Sequence, residues 1–170
     1  LQPPGLAVGG IFIIEEVVPV KEIHDGVPLL RAVIFRGKID TLEAELLLAQ
    51  SVLCKPYDGQ VGEVLEFARR LIRCDVMDEP VEEFTLYGLT AQQQRQHSHF
   101  PQEHYGIPHF MPEATDSPLL LQLNVARCAA RQTELLANHA FAENRQDLLQ
   151  VLNRVSSMLY ILMIRAKKEG

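Results

Sequence analysis

Arg127, Arg131 and Glu134 fall at i, i+4 and i+7, so on a helix two guanidinium groups and a carboxylate stand along one face. Asn153, Ser156, Ser157 and Tyr160 share a face in the same way, within a stretch from Leu148 to Ile164 that is otherwise largely apolar. Polar groups set into an apolar helix must find partners, because an unsatisfied buried group costs on the order of 1 to 3 kcal/mol. Two chemistries meet that demand. One is an ion-pair network tying helix to helix. The other is an anion site, in which paired arginines match phosphate oxygens.

The elements that position these groups are expected to be helices. Ser117 as N-cap with Pro118 in the first turn starts a helix to about Ala142. A last helix follows from Gln146 to about Lys168. Its apolar run is marginal in length for a membrane span and is broken by Asn153 and Arg154, so it is expected to be a core helix. Upstream, Leu42, Leu46, Ala49 and Leu53 define a helix starting at Asp40, with Glu43 placed as in a capping box, and ending in a turn at Pro56 to Gly59. Val61, Val64, Leu65, Ala68, Leu71, Ile72 and Val76 mark a second amphipathic helix. Thr90 with Gln93 caps a short third one, to about His97.

Ser98 to Ser117 has no periodicity, and loops of that length in compact domains are commonly functional. It is expected to be a lid or cofactor-facing loop. Residues 1–35, with Gly9-Gly10, a β-branched run and Asp25-Gly26, are expected to form a less regular arm ahead of a helical domain over 36–170. The fold class that results is all-α, an antiparallel bundle of four to five helices.

With 170 residues, 47% hydrophobic and 22% charged, the chain suits one globular domain. A net charge of -6 argues against nucleic acid as the main partner, so any phosphate recognition must be local. Cys54, Cys74 and Cys128 are isolated and odd in number, which fits a reducing cytoplasm and offers no disulfide framework. The opening Leu1-Gln2-Pro3 lacks both an initiator Met and a basic leader, as expected of a processed chain or a fragment. His97, His99, His104 and His109 cluster without cysteine or a carboxylate at fixed helical spacing. That is a nonspecific metal signal, and no metal ligand is assigned.

The stretches Arg127 to Glu134 and Leu152-Asn153-Arg154-Val155-Ser156 resemble two signatures of ATP:cob(I)alamin adenosyltransferases, approximately R-x-x-x-R-R-x-E and L-N-R-L-S. Ser98-His99-Phe100-Pro101, Gly106 to Glu113 and Phe35 to Asp40 resemble the ethanolamine-utilization branch of that superfamily. The resemblance covers roughly residues 35 to 165. It implies transfer of the 5′-deoxyadenosyl group of ATP to the cobalt of cob(I)alamin, with triphosphate as leaving group and magnesium as companion ion. By resemblance Arg131 contacts the triphosphate, Asn153 holds the nucleotide, and Glu134 organises the site or the magnesium. Arg36, Lys38, His109 and Ser156 fall in the matching segments and are assigned to cofactor binding. Asp40 matches a carboxylate that pairs with Arg127 across a subunit interface, which makes a homo-oligomer, a trimer first, part of the site. Phe110 is the candidate apolar wedge on the corrinoid face, with Phe100, Tyr105 and Met111 as alternatives; packing the loop onto the bundle is its other reading. The branch also implies a cytoplasmic protein associated with a bacterial microcompartment.

There are departures from the pattern. Nothing in residues 1–35 matches the T-x-T-G-D-x-G phosphate stretch of the better-known branch. The His and Cys-Cys-x-x-Cys cluster of some ethanolamine-branch members is missing from this stretch, Gln132 replaces the second arginine of the pair, and Ser157 replaces an aspartate. The competing reading is a noncatalytic bundle that binds a corrinoid or nucleotide. A metal-dependent helical oxidase would need inward Glu-x-x-His pairs, which the helices lack.

Overall fold

The computed structural model describes residues 28–52, 57–141 and 144–169. Six helices and one two-stranded hairpin make up these residues: α1 (Pro28–Val52), α2 (Asp58–Val76), β1 (Thr85–Leu86), β2 (Leu89–Thr90), α3 (Ala91–His99), α4 (Pro101–Tyr105), α5 (Pro118–Phe141) and α6 (Gln146–Glu169). The fold is an all-α bundle. Helix α5 lies between α1 and α6, α2 packs on α1, and α3 packs on α6.

Helix α6 is the centre of the core. Leu148, Leu152, Val155, Met158, Leu159 and Leu162 are fully buried, and α5, α3 and α4 cover it on different sides. By length and composition α6 would suit a membrane crossing, but most of its apolar stretch is buried within the bundle, as expected of a core helix. The first helix departs from expectation. Asp40 is not its N-cap but an exposed residue mid-helix. The reason is that the apolar stripe continues upstream: Phe35 and Ile39 extend the buried series Leu42, Leu46 and Ala49, and Thr41 bonds back to the Gly37 carbonyl at 3.0 Å inside the helix. An acidic residue followed three places later by Glu also occurs within exposed helix faces, so it does not by itself mark a start. The part of the expected arm at 28–35 is therefore helical. Residues 1–27, Cys54, Pro56 and Ala142 lie outside the described residues.

The caps that the sequence signals do form. Thr90 and Gln93 make a reciprocal capping box, with bonds of 3.3 and 2.9 Å, and the Ser117 hydroxyl accepts from the Leu120 N–H at 3.3 Å. Two elements have no counterpart in the sequence expectations. The hairpin turns on Tyr87 (φ 55) and Gly88 (φ 73), a turn with both central residues left-handed. Two-residue strands carry no alternation to read. Helix α4 breaks the supposed loop with Pro101 in its first turn and ends at Gly106 in the left-handed conformation. Arg165 of α6 lies over the rings of both Tyr87 and Tyr105, fixing hairpin and loop to the core.

Arg145 clamps the start of α6 to the end of α2. It donates to Asp147 and to the carbonyls of Cys74 (3.3 Å) and Glu79 (2.8 Å). The Arg145 hydrogen bond, with the N–H groups of Val81 and Leu148 and the charge of Arg145, holds the Asp147 carboxyl down at about 2 against the opposing effect of burial.

Candidate functional site

A groove of about 520 Å³ opens where α5, α6 and the segment after α4 meet. Arg127, Arg131 and Glu134 reach it from α5, and Asn153, Ser156 and Tyr160 reach it from α6. His109, Phe110 and Met111 form the remaining wall. The residues that helical spacing singles out on the two helices thus converge in space, together with a segment that the family resemblance singles out.

Glu134 and Asn153 join the two helices: the Asn153 amide donates to the Glu134 carboxylate at 2.8 Å. Arg154 in turn donates to the Asn153 side-chain oxygen. The amide is therefore fixed in orientation, its nitrogen toward Glu134 and its oxygen toward Arg154. Arg127 is held by its neighbour, donating twice to the Asn124 oxygen at 3.2 and 2.8 Å. Arg131 is exposed and has no hydrogen-bond or ion-pair partner among the described residues. It is the cation of this groove available to an incoming anion. The Ser156 and Ser157 hydroxyls both donate to the Asn153 carbonyl, which leaves their oxygens as acceptors.

The segment after α4 is fastened to α6 through Tyr160. One ring nitrogen of His109 faces the His99 carbonyl at 3.0 Å, and the other faces the Tyr160 hydroxyl at 3.0 Å. A carbonyl only accepts, so the first nitrogen carries a proton, and in the neutral ring the second accepts from Tyr160. The same hydroxyl receives the Phe110 N–H at 3.4 Å. The Phe110 and Tyr160 rings stack at 5.8 Å, and Lys167, paired with Asp116, sits over Phe110. Phe110 is half-buried at the edge of the groove, and Met111 is exposed beside it. Of the other aromatic alternatives, Tyr105 is bonded to His97 at 2.8 Å and Phe100 is exposed; neither lines the groove.

Three expected residues do not line it. Arg36 pairs with Asp75 of α2 at 2.7 Å. Lys38 lies on α1, where its carbonyl accepts from Thr133 of α5. Asp40 is exposed on α1 and makes no pair with Arg127 within the chain. The histidines also divide: His97 stacks on His104 at 3.9 Å, while His99 and His109 belong to the groove. Burial, then His104 and Arg165, push the His97 pKa down. Among the described residues no group of three or more His, Cys, Asp or Glu is placed to hold a metal ion.

A second, larger groove of about 1210 Å³ lies on the other side of the Glu134–Asn153 contact, sharing both residues as a wall. Thr90, Gln92 and Arg95 come to it from the hairpin and α3, and Gln150 and Arg154 from α6. Sequence reasoning gave this groove no role. The one available signal was Arg154, a charge interrupting an apolar helix.

The sequence pattern of the cobalamin adenosyltransferase family matches residues 31–166. Among curated proteins the chain is 31% identical over 135 residues to the corrinoid adenosyltransferase EutT of Salmonella typhimurium, covering 76% of this chain and 51% of that protein. It is 30% identical over 135 residues to the protein of the same name in Escherichia coli K12, with the same coverage. The chain thus spans about half the length of the curated relatives it matches.

Proposed function

The chain belongs to the cobalamin adenosyltransferase family, and from that footing we propose that it transfers the 5′-deoxyadenosyl group of ATP to cob(I)alamin, as a transferase of the ethanolamine-utilization branch. The observation that carries this reading is the convergence of Arg131, Glu134, Asn153 and Phe110 on one groove. In the reaction the cobalt(I) electron pair attacks the ribose C5′ and forms the Co–C bond. The C5′–O bond breaks, and its electron pair leaves on the triphosphate. The nucleophile is supplied by the substrate, so the protein's part is orientation and charge stabilisation.

Arg131 is suited to neutralise the polyanion as it departs. Asn153, fixed between Glu134 and Arg154, is suited to hold the nucleotide at one orientation, and Arg127 and Ser156 line the same wall. His109 and Tyr160 hold Phe110 at the rim, where an apolar side chain would meet the corrinoid face and exclude water. Magnesium fits this site as an ion carried in by the phosphates, since it is commonly bound by one or two carboxylates plus substrate oxygens. Glu134 is the carboxylate in the groove that would bear on it, and the ion would supply further charge neutralisation.

The oligomer belongs to the same proposal. Val33, Leu47, Leu48 and Val52 of α1 and Val125 and Leu135 of α5 are exposed apolar side chains, and Asp40 and Arg131 are exposed on those two helices. A trimer that covers these helices and pairs Asp40 with Arg127 of a neighbour would complete the site. The place of action is then the cytoplasm, in association with a bacterial microcompartment.

The test is anaerobic mixing of the protein with ATP, magnesium and chemically reduced cob(I)alamin. The expected result is a visible spectrum that converts to that of light-sensitive adenosylcobalamin. Corrinoid bound without conversion would favour the noncatalytic reading, which Gln132 in place of an arginine motivates.

A further inference from the structure

The larger groove contains an unpaired cationic centre. Arg154 is half-buried and uses one terminal nitrogen on Asn153, while its other terminal nitrogen is buried with no hydrogen-bond partner. A buried charged donor left without an acceptor is costly, and such atoms in folded proteins usually mark a missing partner. Arg95 lines the same groove from α3, exposed and with no carboxylate partner among the described residues. Two like charges on facing elements repel: burial first, and then Arg95, lower the pKa of Arg154, with Glu134 opposing. An arrangement that costs energy in the free protein is relieved by an anion between the two guanidinium groups.

The acids around the groove are mostly engaged elsewhere. Asp147 is held by Arg145 and the Val81 N–H, Glu82 pairs with Arg70, and Glu134 receives Asn153. Glu83 is exposed at the rim. The neutral lining is mixed, with Thr90, Gln92, Asn138 and Gln150 offering hydrogen bonds beside the apolar Val81, Phe84 and Leu149.

We infer that Arg95 and Arg154 form a polyphosphate-binding pair in this larger groove, across the Glu134–Asn153 wall from Arg131. The inference rests on the adenosyltransferase reading for the identity of its ligand, a polyphosphate chain that is either part of the nucleotide or the triphosphate released from it. A pair of guanidinium groups matches phosphate oxygens in both charge and geometry. Because the two grooves share Glu134 and Asn153, a phosphate chain gripped at its far end by Arg95 and Arg154 can reach across that contact to Arg131 and the corrinoid side. Arg154 is then a binding residue and a positioning residue at once, since it also orients the Asn153 amide.

Calorimetric titration of the full chain with tripolyphosphate, ATP and adenosine, without corrinoid, tests the inference. Arg95→Ala and Arg154→Gln should each weaken tripolyphosphate binding by about tenfold or more, the size of one lost charge-assisted hydrogen bond, and Arg95→Ala, which does not touch Asn153, should leave adenosine unchanged. Loss for tripolyphosphate and ATP together assigns the pair to the nucleotide; loss for tripolyphosphate alone assigns it to the released product. Arg95 is exposed, so its variant keeps the test valid if Arg154→Gln does not fold, as judged by circular dichroism. Unchanged tripolyphosphate affinity in Arg95→Ala, or no tripolyphosphate binding by the parent protein, overturns the pair. Failure of the transferase reading would look different: polyphosphate bound through Arg95 and Arg154 but no adenosylcobalamin formed from cob(I)alamin and ATP.

Discussion

The two grooves flanking the Glu134–Asn153 contact differ in how their charges are kept. On the smaller side, Arg127 is tied to Asn124, Arg131 is exposed, and the aromatic wall is locked by Tyr160 and His109. On the larger side a buried nitrogen of Arg154 is left without a partner and Arg95 faces it without a counter-ion. One side has an aromatic wall fixed by its own hydrogen bonds, with its free cation at the surface; the other keeps a buried donor without an acceptor. A preorganised wall and one with an unmet buried donor can therefore share a single pair of residues, Glu134 and Asn153.

That contrast can be broken first at Arg131. Arg131→Ala should lower kcat/KM for adenosyl transfer by about 100-fold, as loss of a charged donor to a leaving group does, with an unchanged melting temperature because the side chain is exposed and unpaired. Steady-state kinetics that leave kcat/KM within a factor of two would remove Arg131 from the reaction. Phe110→Ala tests the aromatic wall alone. It should reduce kcat by about tenfold, roughly 1.4 kcal/mol of barrier, while leaving KM for ATP as it was; an effect confined to ATP would put Phe110 on the wrong substrate.

Tyr160→Phe sharpens the comparison further. It deletes the hydroxyl that serves both His109 and the Phe110 N–H and keeps the ring stacking. A drop of about fivefold in kcat is expected, consistent with about 1 kcal/mol for a hydrogen bond, together with faster proteolysis of the segment 106–117. No change in either would make the latch irrelevant.

The smallest effect on activity is expected beyond both grooves' cations, at Asp147. Its carboxyl is held at about 2, below its ordinary value of 3.8, so its stabilisation is fully present above pH 4 and is lost as pH falls through 2. Asp147→Asn should cost about 1 to 2 kcal/mol of stability at pH 7, after allowance for its partial exposure. Denaturant melts should show that difference closing between pH 4 and pH 2. A constant difference across that range would mean that the Arg145 clamp does not depend on charge.

The legible parts of this molecule were those governed by local periodicity. Helices α5 and α6, the caps at Thr90 and Ser117, and the seven groove residues Arg127, Arg131, Glu134, Asn153, Ser156, His109 and Phe110 follow from spacing or motif. Asp40 misled because an acidic residue on an exposed helix face resembles a cap, and the burial of Phe35 and Ile39 in the turns before it is set by packing within the bundle, as in the Phe35–Phe141 contact. Arg36 gave no sign of its ion pair with Asp75, which is set by the packing of α1 on α2. Arg95 and Arg154 lie on helices that meet only through tertiary packing, so no spacing rule connects them.

Adenosyl transfer, as proposed, takes place at the wall shared by the two grooves. Single-turnover adenosyl transfer by Asn153→Ala, with ATP and cob(I)alamin both saturating, tests it most directly. The expected rate is about 100-fold below that of the parent protein, with both substrates still bound. A rate equal to the parent's under those conditions would contradict it.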